Sequence, residues 1–113
     1  MTNEELIELL QVDLKNERKH LAAYTQFAVQ MRGLHRNELR EFCETQAADE
    51  LLHVTQFSEL IVHLGGVPGT EVNEYPADLK CPGAIVKAIV VMEDEVADKY
   101  TERLNQTEEF DNS

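Results

Sequence analysis

The chain has 113 residues, with 22 acidic and 10 basic side chains and a formal net charge of −12. This length suits one domain with a single modest core. The charge argues against nucleic acid and anionic membrane as partners, and it favours the attraction of cations. The start MTNEELIELL lacks the basic region of a signal peptide, and two cysteines make no disulfide framework, so we expect a cytoplasmic protein.

The first predicted helix covers about residues 4–32. Thr2 and Glu5 have the spacing of an N-terminal capping box, and Gly33 is a natural helix end. Apolar residues recur at steps of three and four, which is the helical period, and Glu17 interrupts their stripe. A carboxylate that faces a helical core is costly unless it is paired or binds a metal. Glu17 is therefore a candidate metal ligand.

The second predicted helix covers about residues 37–64, and Glu50 interrupts its apolar stripe in the same way. His53 follows one turn later and shares the same face of the helix. The turn between the two helices centres near Leu34, so an antiparallel pair brings Glu17 and Glu50 to nearly the same height. We therefore predict that Glu17, Glu50 and His53 form one site.

A segment rich in glycine and proline, residues 65–81, separates the second helix from a third one over residues 82–106. At about 3.3 Å per residue, this segment is long enough to run the whole length of the second helix. Glu93 interrupts the apolar stripe of the third helix, although spacing does not fix the direction in which that helix runs. We expect the polar tail, residues 107–113, to fray.

Two tyrosines, Tyr24 and Tyr100, each follow a core glutamate by seven residues. A phenol at this spacing is placed to hydrogen-bond a ligand carboxylate across the bundle. The alternative is that both hydroxyls lie in water at the edge of the core.

Two further residues carry weaker signals. His20 forms a second Glu-x-x-His pair with Glu17 and would ligate a metal if the first helix were rotated, but we expect it on a solvated flank. Glu44 lies about two turns before Glu50 and could guide ions along the helix, although we expect it to face solvent.

Carboxylates with one imidazole suit iron(II) or manganese(II), and bridging carboxylates can hold two metal ions close together. Open coordination positions would admit oxygen or peroxide. The alternative is chance placement, with the three glutamates on the edges of wider apolar stripes.

Several segments of the chain resemble ferritin-like di-iron proteins of the bacterioferritin type. They are NERKHLAAY around Glu17, DELLH from Glu50 to His53, the LGGVP that follows, and MEDEVADKY around Glu93. The resemblance implies one all-α domain over residues 1–113, with an up-down helix pair, a long crossover and a third helix. It also implies that Glu17 and His53 ligate one metal, Glu50 bridges, and Glu93 ligates the second metal.

The family completes a four-helix bundle with a further helix that carries a second Glu-x-x-His, and none follows Glu93 here. Three arrangements remain open: self-association into a homodimer or larger homo-oligomer, a separate chain that supplies the helix, or a sequence that is a fragment. We expect self-association, because twofold symmetry is the commonest oligomer solution. It would leave Glu93 as an outer or auxiliary ligand.

The function that the resemblance implies is iron storage through a ferroxidase reaction. Two irons would bind per site, Fe(II) would be oxidised by oxygen or peroxide with Glu17, Glu50 and His53 as catalytic residues, and iron would then be sequestered. One alternative is peroxide reduction as in rubrerythrins. The other is a non-catalytic helical assembly module whose subunits are held together by metal ions.

Overall fold

The computed structural model describes the backbone of residues 1–112 and the side chains of residues 1–106 except that of residue 103. Over residues 1–112 the chain forms three α-helices and no strand, which confirms the all-α prediction. The helices are α1 (Asn3–Gln30), α2 (Arg36–His63) and α3 (Pro82–Asn112). No helix in this range is both long and apolar enough to cross a membrane.

The helix α3 is longer than the sequence analysis predicts. It continues to Asn112, whereas the predicted end lies near residue 106 and the predicted frayed tail covers residues 107–113. The added segment TEEFDN contains no glycine or proline, so no residue in it opposes a helical backbone. Ser113 lies outside the described residues.

Local sequence signals set the ends of the first two helices. The Thr2 hydroxyl accepts a hydrogen bond from the Glu5 backbone N–H at 3.1 Å, as the predicted capping box requires. At the end of α2, the Gly66 N–H donates to the Ile61 carbonyl at 2.9 Å, while Gly65 adopts a φ of +95°. This positive φ is readily available to glycine, which explains why α2 ends where the glycine pair begins.

The helix α3 runs antiparallel to α1 and therefore parallel to α2. The Lys19 ammonium lies 3.2 Å from the Glu95 carboxylate, and farther along both helices Asp13 and Leu104 line one cavity. Later residues of α3 thus meet earlier residues of α1. The structure settles the helix direction that spacing left open.

The crossover, residues 65–81, lies along α1 and joins the two parallel helices. The Gln11 side chain donates to the Val67 carbonyl at 2.7 Å and accepts from the Gly69 N–H at 2.7 Å. Near the other end of α1, the Gln30 amide donates to the Ala77 carbonyl at 2.8 Å. Glutamine side chains of α1 thus satisfy backbone groups that have no ladder or helix partner.

Two apolar clusters form the core, and a group of buried polar side chains lies between them. The larger cluster consists of Ala23, Tyr24, Phe27, Ala28, Met31, Cys43, Ile85, Ile89 and Met92. The smaller cluster consists of Leu10, Leu14, Val54 and Ile61. The buried polar residues are Asp13, Asn16, His20 and Glu50, and we call them, together with Glu17, the polar belt. Burying such groups is costly without a compensating partner.

Candidate metal centre

Three side chains lie close together where the polar belt residues of α1 face α2. Glu17, Glu50 and His53 each offer one ligand atom, and these atoms lie within 4.8 Å of one another. The His53 Nδ1 is 3.5 Å from the Glu17 Oε2 and 3.5 Å from the Glu50 Oε2. The antiparallel pairing of α1 and α2 brings together the three residues that the sequence analysis places in one site.

One oxygen of each carboxyl group in this cluster lacks a hydrogen-bond partner among the described residues. The Oε2 atoms of Glu17 and Glu50 are both buried without a hydrogen bond. Their distances to His53 exceed the roughly 2.7–3.2 Å of ordinary N–H···O bonds. Burial, together with the adjoining Glu17 carboxyl, raises the pKa of Glu50 to about 9. A divalent cation would satisfy both carboxyl groups, so the residues present fit a metal ion.

The third helix brings Glu93 next to this cluster through a hydrogen bond from Tyr24. The Tyr24 hydroxyl donates to the Glu93 Oε1, and the fully buried ring of Tyr24 makes a T-shaped contact with Phe42, with ring centroids 6.5 Å apart. Burial and the bond to Glu93 raise the pKa of the Tyr24 phenol, which therefore stays a neutral donor. Glu93 itself is exposed and lies outside the three-residue cluster.

The structure does not bring Tyr100 or Glu44 to a ligand. The Tyr100 side chain is 66% exposed, and its hydroxyl makes no hydrogen bond to any described residue. It therefore matches the alternative in which the phenol lies in water. Glu44 faces solvent, as expected, and its carboxylate lies 2.7 Å from the Arg40 guanidinium.

The expectation that His20 lies on a solvated flank is wrong. Its side chain is 1% exposed, and both ring nitrogens are buried without a hydrogen-bond partner. Burial lowers the pKa of His20, and the nearby Glu17 carboxylate only partly opposes this effect. The imidazole is therefore neutral at pH 7. The prediction for α1 rested on the one apolar stripe that faces α2. In the structure α3 covers the adjacent face as well.

Two further polar residues, Asp13 and Asn16, are buried without having been predicted as site residues; they are 8% and 6% exposed. With Glu17 they line a cavity of about 160 Å³. The remaining walls are formed by Phe57, Val96, Lys99, Tyr100 and Leu104. A signal was available, because Asp13, Glu17, His20 and Tyr24 follow one another at helical steps of four, three and four.

Comparison with known proteins places this arrangement in a family. A family model of the ferritin-like domain matches residues 7–112. A crystal structure of ferritin-like, diiron-carboxylate proteins from Bacillus anthracis strain Ames is similar in fold, with a TM-score of 0.90 and 27% sequence identity; the match covers 98% of this chain and 81% of that one. No curated protein matches the sequence. The chain belongs to the ferritin-like domain family.

Proposed function

We propose that this protein binds Fe(II) at Glu17, Glu50 and His53, oxidises it and helps to sequester the product. The observation that carries the proposal is the buried Glu50 Oε2, which lies beside Glu17 and His53 and has no hydrogen-bond partner among the described residues. Carboxylates with an imidazole suit Fe(II), and the net charge of −12 favours its approach. The similarity to diiron-carboxylate proteins supports two iron ions per site.

In this proposal each side chain has a distinct task. Glu17 and His53 hold one ion, Glu50 bridges both ions after it loses its proton, and Glu93 holds the second ion. Tyr24 orients the Glu93 carboxylate through its hydrogen bond. Two Fe(II) ions each lose one electron, and dioxygen takes both electrons and two protons to become hydrogen peroxide. With peroxide as the oxidant, the products are Fe(III) and water. These four residues match part of the ligand set that the resemblance to the bacterioferritin type implies.

Aerobic oxidation of Fe(II), followed by the growth of ferric absorbance, tests the proposal. We expect the protein to accelerate oxidation over a protein-free control, and we expect Glu50→Ala to abolish the acceleration. The matched control is Glu59→Ala, which removes an exposed carboxylate from the same helix and should leave the rate unchanged. A wild-type rate equal to that of Glu50→Ala would contradict the proposal.

The face of α3 that carries Glu93 is exposed, and this glutamate interrupts its apolar residues. Its residues recur at steps of four and three and are all exposed: Val86, Val90, Glu93, Ala97, Tyr100 and Leu104. This spacing is typical of a helix face that contacts another helix. We propose that a second copy covers this face, because twofold symmetry is the commonest oligomer solution and a helix face of this kind can pair with a copy of itself. Bound cations would offset the repulsion between two acidic chains.

Mass measurement in solution, with and without Mn(II), tests this self-association. We expect a monomer without metal and a dimer with it. Val90→Glu places a charge in the exposed face of α3 and should prevent the dimer, whereas Val62→Glu, on an exposed position of α2, should not. A chain that stays monomeric with metal bound would contradict self-association and favour a separate helix as the partner.

A second candidate function is a metal-stapled assembly module without catalysis. The observation that favours it is the exposure of Glu93 and His53, two metal-ligating residue types, on the side where the bundle is open. Zinc should then restore the assembly as well as iron does, and Fe(II) oxidation should not exceed the protein-free rate. Acceleration of Fe(II) oxidation would rule out this non-catalytic alternative.

A further inference from the structure

The proposed site leaves one buried imidazole without a role. The chain has four histidines, of which His20 is 1% exposed while His35, His53 and His63 are exposed. A neutral imidazole carries one N–H donor and one acceptor nitrogen, and both ring nitrogens of His20 are buried without a partner. Leaving both groups unsatisfied is costly, so a bound ligand would account for them.

The charged groups around His20 narrow the identity of that ligand. Three carboxylates act on the ring: Glu17 on the same helix, and Glu93 and Glu95 on α3. Glu95 already has a cation, because the Lys19 ammonium lies 3.2 Å from it. Glu17 and Glu93 have no such cation among the described residues. A metal cation suits a neutral imidazole that has the Glu17 and Glu93 carboxylates among its charged neighbours.

The second metal position also lacks an imidazole. The His53 Nδ1 faces Glu17 and Glu50, so this ring belongs to the first ion. The second ion would have the Glu50 bridge and Glu93 from this chain. A neutral imidazole would add a nitrogen ligand to these carboxylates, as His53 does at the first ion.

We propose that His20 is a ligand of the second metal ion, together with Glu93 and the bridging Glu50. This inference rests on the proposed function, because it concerns the same site. His20 lies outside the three-residue cluster, so ligation requires a side chain to rotate. The side chain that rotates would be that of Glu93, because it is exposed and Tyr24 holds it by a hydrogen bond rather than by packing.

Nitrogen NMR of the wild-type protein tests the inference without any substitution in the site. The protein is labelled with ¹⁵N-histidine and titrated with Zn(II), a diamagnetic probe of the metal position. We expect the ring nitrogens of two histidines, His20 and His53, to shift on binding. A response from His53 with an unchanged His20 would overturn the inference and leave the proposed site intact. No response from either ring would overturn both.

Metal stoichiometry gives an independent readout. We expect His20→Gln to lose one of the two Zn(II) ions that each chain binds, while the affinity for the other ion stays the same. The matched control is His63→Gln, which removes an exposed imidazole of α2 and should retain both ions. Circular dichroism verifies that each variant is folded. A folded His20→Gln variant that binds both ions would contradict the inference.

Discussion

The protonation of Glu50 links the site to the stability of the whole chain. Its pKa is about 9 in the folded protein, against an ordinary value of 4.5. Between these values the folded, metal-free protein holds a proton that the unfolded chain releases. The free energy of unfolding should therefore fall as pH rises through this window, by at most about 1.4 kcal/mol per pH unit from this group.

Urea unfolding of the metal-free protein at several pH values within that window measures this effect. Glu50→Gln keeps the shape of the side chain but cannot ionise, so its free energy of unfolding should fall less steeply with pH. The variant should also be more stable than the wild type near pH 9, because it buries no charge. Parallel pH profiles for both proteins would contradict the raised pKa.

The Tyr24 hydroxyl should matter for the reaction more than for folding. Tyr24→Phe removes the bond to Glu93 and should cost about 1 kcal/mol of unfolding free energy, since the acceptor is exposed. Fe(II) oxidation should slow, because the carboxylate loses its orientation. The matched control is Tyr75→Phe in the crossover. The hydroxyl of Tyr75 lies 3.2 Å from the side chain of Gln26 in α1. This variant should lose stability without slower oxidation; equal slowing in both variants would contradict the assignment.

At the scale of the elements, local sequence signals are sufficient to predict much of the fold. The capping box at Thr2, the glycine pair after α2 and the proline at the start of α3 depend on neighbouring residues, so the sequence predicts them. The same holds for Glu17 and Glu50, which the helical period assigns to the core. The direction of α3 was not predictable, because it depends on contacts such as Tyr24 with Glu93, 69 residues apart.

The position of α3 also explains why the burial of His20 was not predicted. A single amphipathic stripe describes a helix that packs on one side, but α1 contacts α2, α3 and the crossover. Ile85 and Ile89 of α3 belong to the same cluster as Ala23 and Phe27 of α1, so they cover the flank next to His20. Polar residues on such a helix are buried by the neighbouring elements. The periodicity of its apolar residues therefore does not predict their burial.

The crossover should be held on α1 by specific side chains rather than by its own conformation. Gln11→Ala removes the hydrogen bonds to Val67 and Gly69 and should lower the free energy of unfolding by about 1–2 kcal/mol. Gln56→Ala, at an exposed position of α2, is the matched control and should change it by less than about 0.5 kcal/mol. Urea unfolding compares the two, and equal losses would contradict this role of Gln11.

At the scale of the whole molecule, two apolar clusters are separated by the polar belt, in which Glu17, His20 and Glu50 have buried polar atoms without a hydrogen-bond partner among the described residues. The metal-free protein should therefore be less stable than the metal-bound one. Mn(II) at 100 times its Kd should stabilise the protein by about 2.7 kcal/mol, which thermal unfolding would show as a higher Tm. Glu50→Ala should show no such rise. A Tm that is independent of Mn(II) in the wild type would contradict a metal site in the belt.

The central claim is a two-iron site built on Glu17, Glu50 and His53, and native mass spectrometry after anaerobic loading with Fe(II) tests it most directly. It reports the number of chains and the number of irons in the same particle. We predict particles that bind iron in pairs, and particles of Glu50→Ala that bind none. Wild-type particles without iron, or a Glu50→Ala variant that binds as much iron as the wild type, would contradict the claim.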